Sequence, residues 1–189
     1  LQQQQQPNTP DEQHGSGLKR SVSYSADRSG CGAWRMLWPN TTMMLYQKHE
    51  VSDGTCMVLD ERYYQGITTC RVQRQATPHQ LEFIKFLKGM SQKHNFKLVY
   101  EIDDIVFHED IPEYNKFNTA FEHPDVRRCA MEAMQMVDEI TVTCDYMKDY
   151  YMDKTGNKNI TVIPNYMPRF WIGNHYDPKR LELNFNKNF

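Results

Sequence analysis

Short apolar runs separated by polar and amphipathic stretches set the rhythm of this chain. Residues 19–26 (KRSVSYSA) alternate, 55–59 (TCMVL) and 67–73 (ITTCRVQ) are compact, and 96–102, 139–144 (EITVTC) and 159–163 (NITVI) are rich in β-branched or apolar residues. Each predicts a strand. Between them lie four stretches of helical period. In residues 33–48, Trp34, Leu37, Trp38, Met44 and Leu45 recur at helical spacing, with Pro39 expected to break or restart the helix. The best marked helix starts at Thr77, a cap residue followed by Pro78 and by Gln80 as in a capping box, with Leu81, Ile84, Leu87 and Met90 on one face. Residues 124–139 turn Val126, Ala130, Ala133, Met134 and Val137 inward, and 145–154 form a last helix stopped by Gly156. Strands alternating with helices predict an α/β fold: one Rossmann-like, doubly wound parallel sheet with helices on both faces.

One run carries chemistry as well as structure. Residues 97–107 (KLVYEIDDIVF) climb from an apolar strand into Glu101, Asp103 and Asp104. Unpaired charge is costly to bury, and ligands of open α/β sheets bind beyond the strand carboxyl ends. If the strand persists, Glu101 and Asp103 share one face and Asp104 takes the other. Asp103 then faces a ligand, while Asp104 holds the following loop. Clustered carboxylates suit a hard cation. No third ligand stands at a matching spacing, so no metal is expected. Gly30 and Gly32, in the turn DRSGCG, either bring backbone N–H groups to an anion at a helix start or form an ordinary turn. Arg35 follows on the first helical turn, in reach of a phosphate or sugar hydroxyl or simply solvated. Arg74 ends a strand at the same sheet edge. Asn165 ends the last strand, where it shapes a hinge or meets substrate.

Composition narrows the setting. The chain has 189 residues, enough for one domain with tails, and a formal net charge of -2 gives no global case for nucleic acid. No apolar run is long enough to span a membrane. The five cysteines contain no CxxC pair and read as reduced thiols of a cytoplasmic protein. Residues 1–17, LQQQQQPNTPDEQHGSG, bury too little to order themselves and are expected to form a disordered tail.

Four segments together carry a family resemblance: Gly30-Cys31-Gly32-Ala33-Trp34-Arg35 followed by Trp38-Pro39, then Arg71-Val72-Gln73-Arg74, KLVYEIDD, and TVIPN at 161–165. Over residues 21–178 the chain resembles the N-terminal, acceptor-side half of a GT-B glycosyltransferase of bacterial or phage type. The resemblance implies two doubly wound domains, the first holding the acceptor and the second the nucleotide-sugar, with no cofactor or bound metal. Where many relatives end the central strand in His-Asp, this chain has Asp103-Asp104. On this reading Asp103 and Asp104 are catalytic, and Gly30, Gly32, Arg35, Arg74, Glu101 and Asn165 bind substrate. Residues 18–165 form the domain. Residues 166–189 are a linker or the start of a donor half that is truncated or on another chain. The acceptor is a glycan, a protein or modified DNA. The rival reading is a non-catalytic binding or scaffold domain without the donor half. A stand-alone dinucleotide-binding domain is disfavoured, because the full G-x-G-x-x-G is missing.

Overall fold

The computed structural model describes residues 18–116 and 118–168. The tail expected at 1–17, and all but the first residues of the segment 166–189, lie outside the described residues. Six strands, β1 (Lys19–Tyr24), β2 (His49–Gly54), β3 (Thr69–Gln73), β4 (Lys97–Glu101), β5 (Glu139–Val142) and β6 (Ile160–Val162), form one sheet. Its order is β2-β1-β3-β4-β5-β6, and every pairing is parallel. The chain steps left once, from β1 to β2, and afterwards right. Right-handed crossovers therefore put the first helical segments on one face and the later helices on the other. The former are α1 (Gly30–Gly32) and α2 (Trp38–Tyr46); the latter are α3 (Pro78–His94), α4 (Pro124–Met136) and α5 (Asp145–Thr155). This is the single Rossmann-like α/β domain expected. No helix among the described residues is long and apolar enough to cross a membrane.

The two faces of the sheet differ in chemistry. Towards α3, α4 and α5 it presents Val22 and Tyr24, Cys70 and Val72, Leu98 and Tyr100, and Ile140 and Val142. These pack against Leu81, Ile84, Leu87, Ala130, Met134 and Tyr151 in one continuous core. Towards α1 and α2 the alternate residues of the same strands are polar apart from Val99, and Ser21, Ser23, Gln73, Glu101 and Thr141 are buried there. Such groups need partners. Asn40 of α2 donates to Ser23 Oγ at 2.7 Å and accepts from the Arg71 guanidinium. Asp53 accepts from Ser23 and Ser25.

One local expectation needs correction. The second strand is His49–Gly54, not residues 55–59. HEVSDG is a weak strand former, but it lies at the sheet edge, where the parallel ladder to β1 decides (Lys19↔His49 through Tyr24↔Gly54). Pro39, expected to break or restart the helix, restarts it: α2 begins at Trp38 with Pro39 in its first turn. The helical run continues from Gly30 to Tyr46 by widening into a π turn over Ala33–Leu37, in which Trp38 N–H reaches back to Ala33 O. A proline ring clashes with the carbonyl four residues before it, and the wider turn moves that carbonyl away. The helix at Thr77 forms as expected: Gln80 N–H donates to the Thr77 side chain, and Gln80 Oε1 accepts from Thr77 N–H at 2.9 Å.

Candidate functional site

The strand order reverses between β1 and β3, and there the loops after β1, β3 and β4 meet at the carboxyl edge of the sheet. They enclose a cavity of about 740 Å³. One wall is polar, built from Asp27, Cys31, Arg74, Asp103 and Asp104. The other, from the loop after β4 and the start of α5, offers Ile105, Ile111, Pro112, Phe121 and Met147.

The loop after β1 closes on its own carboxylate. Asp27 Oδ1 accepts from Ser29 N–H at 2.9 Å and from Gly32 N–H at 3.2 Å. The anion at this helix start is therefore supplied by the chain itself. Gly30 takes a φ of +21°, and a Cβ on Gly32 would come within 1.9 Å of Asp27 O, so each glycine answers a local need of the turn. Gly30 lines the cavity. Gly32 sits behind it, against Asp27.

Arg74 stands at the end of β3 with φ 44°, a left-handed conformation that costs a non-glycine residue about 1–3 kcal/mol. Its N–H still donates to Glu101 O at 2.9 Å, so the strained turn keeps the ladder while swinging the side chain into the cavity. There Nη1 meets Asp104 Oδ2 at 2.9 Å and Nη2 meets Asp27 Oδ2 at 3.5 Å. Burial works against the Arg74 charge, but Asp103, Cys31, Asp104 and Asp27 outweigh it, and its pKa is raised. Asp104 is pushed up by burial and by the neighbouring Asp103, with Arg74 opposing. Its backbone carbonyl accepts from the Tyr151 hydroxyl, which ties the loop to α5.

Asp103 faces the Cys31 thiol, which burial and, in part, a hydrogen bond to Asp103 push up to about 12. Asp103 Oδ1 is buried and accepts no hydrogen bond among the described residues. The Cys31 sulfur and one oxygen each from Asp103 and Asp104 lie within 4.8 Å of one another. This is a third ligand-type group that sequence spacing did not show, because Cys31 arrives from a different strand end.

The remaining expected site residues gather elsewhere. β4 ends at Glu101, so the shared face expected for Glu101 and Asp103 does not extend to the aspartates. Glu101 turns under the sheet and pairs with Arg35, Nε to Oε1 at 2.6 Å, with both side chains almost fully buried. Thr141 donates to Glu101 Oε2. Burial raises the Glu101 pKa, against the lowering effects of Arg35 and Thr141. Arg35 also donates to Ile163 O and to Asn165 Oδ1, the latter at 3.1 Å. Arg35 and Glu101 therefore form a buried pair, tied to the exposed Asn165, that joins the π turn, β4 and the chain leaving β6, and none of the three lines the cavity. The sequence reading missed Asp27 and Cys31. Asp27 was legible as the acid that opens a glycine turn; Cys31 carried no signal of its own.

Scans of family models, of curated proteins and of solved structures find no match to this chain.

Proposed function

We propose that this domain is the acceptor-side half of a sugar-transferring enzyme of the GT-B kind, and that transfer takes place at the Asp103 cavity. The observation that carries this reading is the Asp103 carboxylate lining a cavity at the carboxyl edge of a doubly wound sheet. A carboxylate so placed is ready to accept a proton from a bound hydroxyl. In the reaction the acceptor O–H gives its proton to Asp103. A bond forms between that oxygen and the anomeric carbon of the donor sugar, as the bond from that carbon to the nucleotide phosphate breaks. The nucleoside diphosphate leaves with the electron pair. Asp104 and Asp27 hold Arg74, and Arg74 in turn braces the carboxylate wall. The nucleotide-sugar is bound by a second half, outside the described residues. All five cysteines are free thiols, which supports a reducing, cytoplasmic setting.

The test is Asp103→Asn in the protein joined to its donor half. Turnover should fall at least tenfold, which is about 1.4 kcal/mol of barrier, with the urea midpoint nearly unchanged. Full activity in the variant would remove Asp103 from the chemistry.

A further inference from the structure

β4 stops at Glu101, and the irregular stretch after it carries Asp103, Asp104 and Ile105 into the cavity. Buried backbone groups outside regular structure need partners of their own. Ile102 N–H still donates to Thr141 O at 2.9 Å, as the last rung towards β5. Beyond it the next anchor is a side chain. The Tyr151 hydroxyl donates to Asp104 O at 2.5 Å and receives the Val106 N–H, so one phenol oxygen closes the turn on both sides of Ile105. Tyr151 is fully buried, and its ring meets Phe107 edge-on at 5.9 Å. In a close-packed core that ring cannot swing away, and its hydroxyl is a fixed point. It stands on α5, where Met147, one turn earlier, lines the cavity. The two aspartates are not held alike. Arg74 takes Asp104 and Asp27 as its partners. The Asp103 side chain meets the Cys31 thiol, a weak donor. The place of the Asp103 carboxylate is therefore set by the backbone on either side of it, between the Ile102 rung and the Tyr151 hydroxyl.

We infer that Tyr151 is the positioning residue of this site: its hydroxyl fixes the turn after β4 and thereby sets the Asp103 carboxylate against Cys31. This deepens the transfer reading, and its meaning for catalysis rests on that reading, because Asp103 is the base proposed there. Tyr150, the neighbour on α5, gives the contrast. Its hydroxyl also donates to this loop, but to Asp110 Oδ2 at 2.7 Å, where Lys154 holds the same oxygen at 2.7 Å. Losing the Tyr150 hydroxyl loosens the loop away from the cavity acids. Losing the Tyr151 hydroxyl loosens it at them.

The test uses Cys31 as a reporter in the 189-residue chain, through its rate of labelling by iodoacetamide at about pH 8, read by mass spectrometry. Burial and Asp103 raise the Cys31 thiol, with Asp104 adding to the rise and Arg74 opposing it. A thiol reacts as its thiolate, so in the parent Cys31 should label far more slowly than the exposed Cys56 and Cys144. Cys70 and Cys129 are buried, so only molecules in which both stay unlabelled are counted, and unfolded chains drop out of the measurement. Tyr151→Phe keeps the ring and removes one oxygen. It should raise the Cys31 rate about tenfold, and Tyr150→Phe should leave it within about twofold. Asp103→Asn should raise the rate by itself, by removing the charge. Adding Tyr151→Phe to it should then change little, since the hydroxyl acts through that carboxylate. An unchanged Cys31 rate in Tyr151→Phe would overturn the inference. So would an equal rise in Tyr150→Phe, or the same rise in the Asp103→Asn background, either of which means that the loop only opens. In the protein joined to its donor half, Tyr151→Phe should lower kcat about tenfold with KM nearly unchanged. Failure here and failure of the transfer reading are separable. If Asp103→Asn abolishes turnover but Tyr151→Phe leaves the thiol and kcat as they were, transfer stands and the positioning role falls. If Asp103→Asn is fully active while the thiol rates behave as stated, transfer falls and Tyr151 still sets the turn.

Discussion

Arg35 and Glu101 show how far residue identity alone can mislead. Both are charged, and both were expected to meet substrate. Instead each is the other's partner, at 2.6 Å and almost without solvent. Replacing a buried ion pair with apolar groups is often nearly neutral, but removing one member strands the other and costs about 3–5 kcal/mol. Arg35→Met should therefore lower stability by roughly that much, and Arg35→Met with Glu101→Leu should recover most of it, as read from urea unfolding. The single variant should also change its pH dependence. Burial already raises the Glu101 pKa, and Arg35 is the main influence opposing that rise. Without Arg35 the folded state binds the Glu101 proton still more tightly than the unfolded chain does. A raised carboxyl favours the fold below its unfolded pKa, and that contribution is lost as pH rises through the folded value. Arg35→Met should thus be more stable at about pH 5 than at about pH 8, by a wider margin than the parent. A single variant as stable as the parent, with no altered pH slope, would show that the pair does not hold the fold.

At the scale of elements, much was legible. The capped helix α3, the strands β3 to β6 and the acid-ended strand β4 stand close to where their patterns put them, because apolar period and cap chemistry are local signals. What escaped was decided by distant parts of the chain. β2 forms from a polar segment because β1 offers it an edge. The π turn exists because Pro39 needs room inside a helix that packing keeps continuous. The polar face of the sheet was partly visible: Ser21, Ser23 and Ser25 alternate with Val22 and Tyr24, and Arg71 and Gln73 flank Val72. A parallel strand covered equally on both faces reads as a continuous apolar run. Such alternation instead marks a face whose cover must be polar, here Asn40 and Arg35. The turn after β1 is the element most exposed to small changes. Gly32 has ordinary helical dihedrals, so it is required for space and not for conformation. An added methyl would meet the Asp27 carbonyl at 1.9 Å. Gly32→Ala should cost about 1–3 kcal/mol in urea unfolding and pull Asp27 away from Arg74. A neutral substitution would mean that the turn yields easily and that Asp27 is not fixed by it.

The strand order is the feature of the whole molecule with the widest consequence. The order reverses between β1 and β3, and in doubly wound folds this crevice is where nucleotides place their phosphates against a helix start. The architecture is thus compatible with a nucleotide site, so the proposed transfer reading has to be tested for which substrate this sheet receives. Local charge bears on that choice, where the net charge of -2 did not. The helix start is already capped by Asp27, and Arg74 is shared between two carboxylates. A diphosphate in this crevice would share the helix start with the Asp27 carboxylate and lie beside Asp103 and Asp104, with Arg74 as the one lining cation among the described residues. These like charges oppose binding. Titration of the chain with nucleoside diphosphates and their sugar conjugates should therefore show Kd values no tighter than about 1 mM, which is about -4 kcal/mol. Micromolar binding that is lost in Arg74→Ala would put the donor in this crevice, and the acceptor-side assignment would then have to be given up.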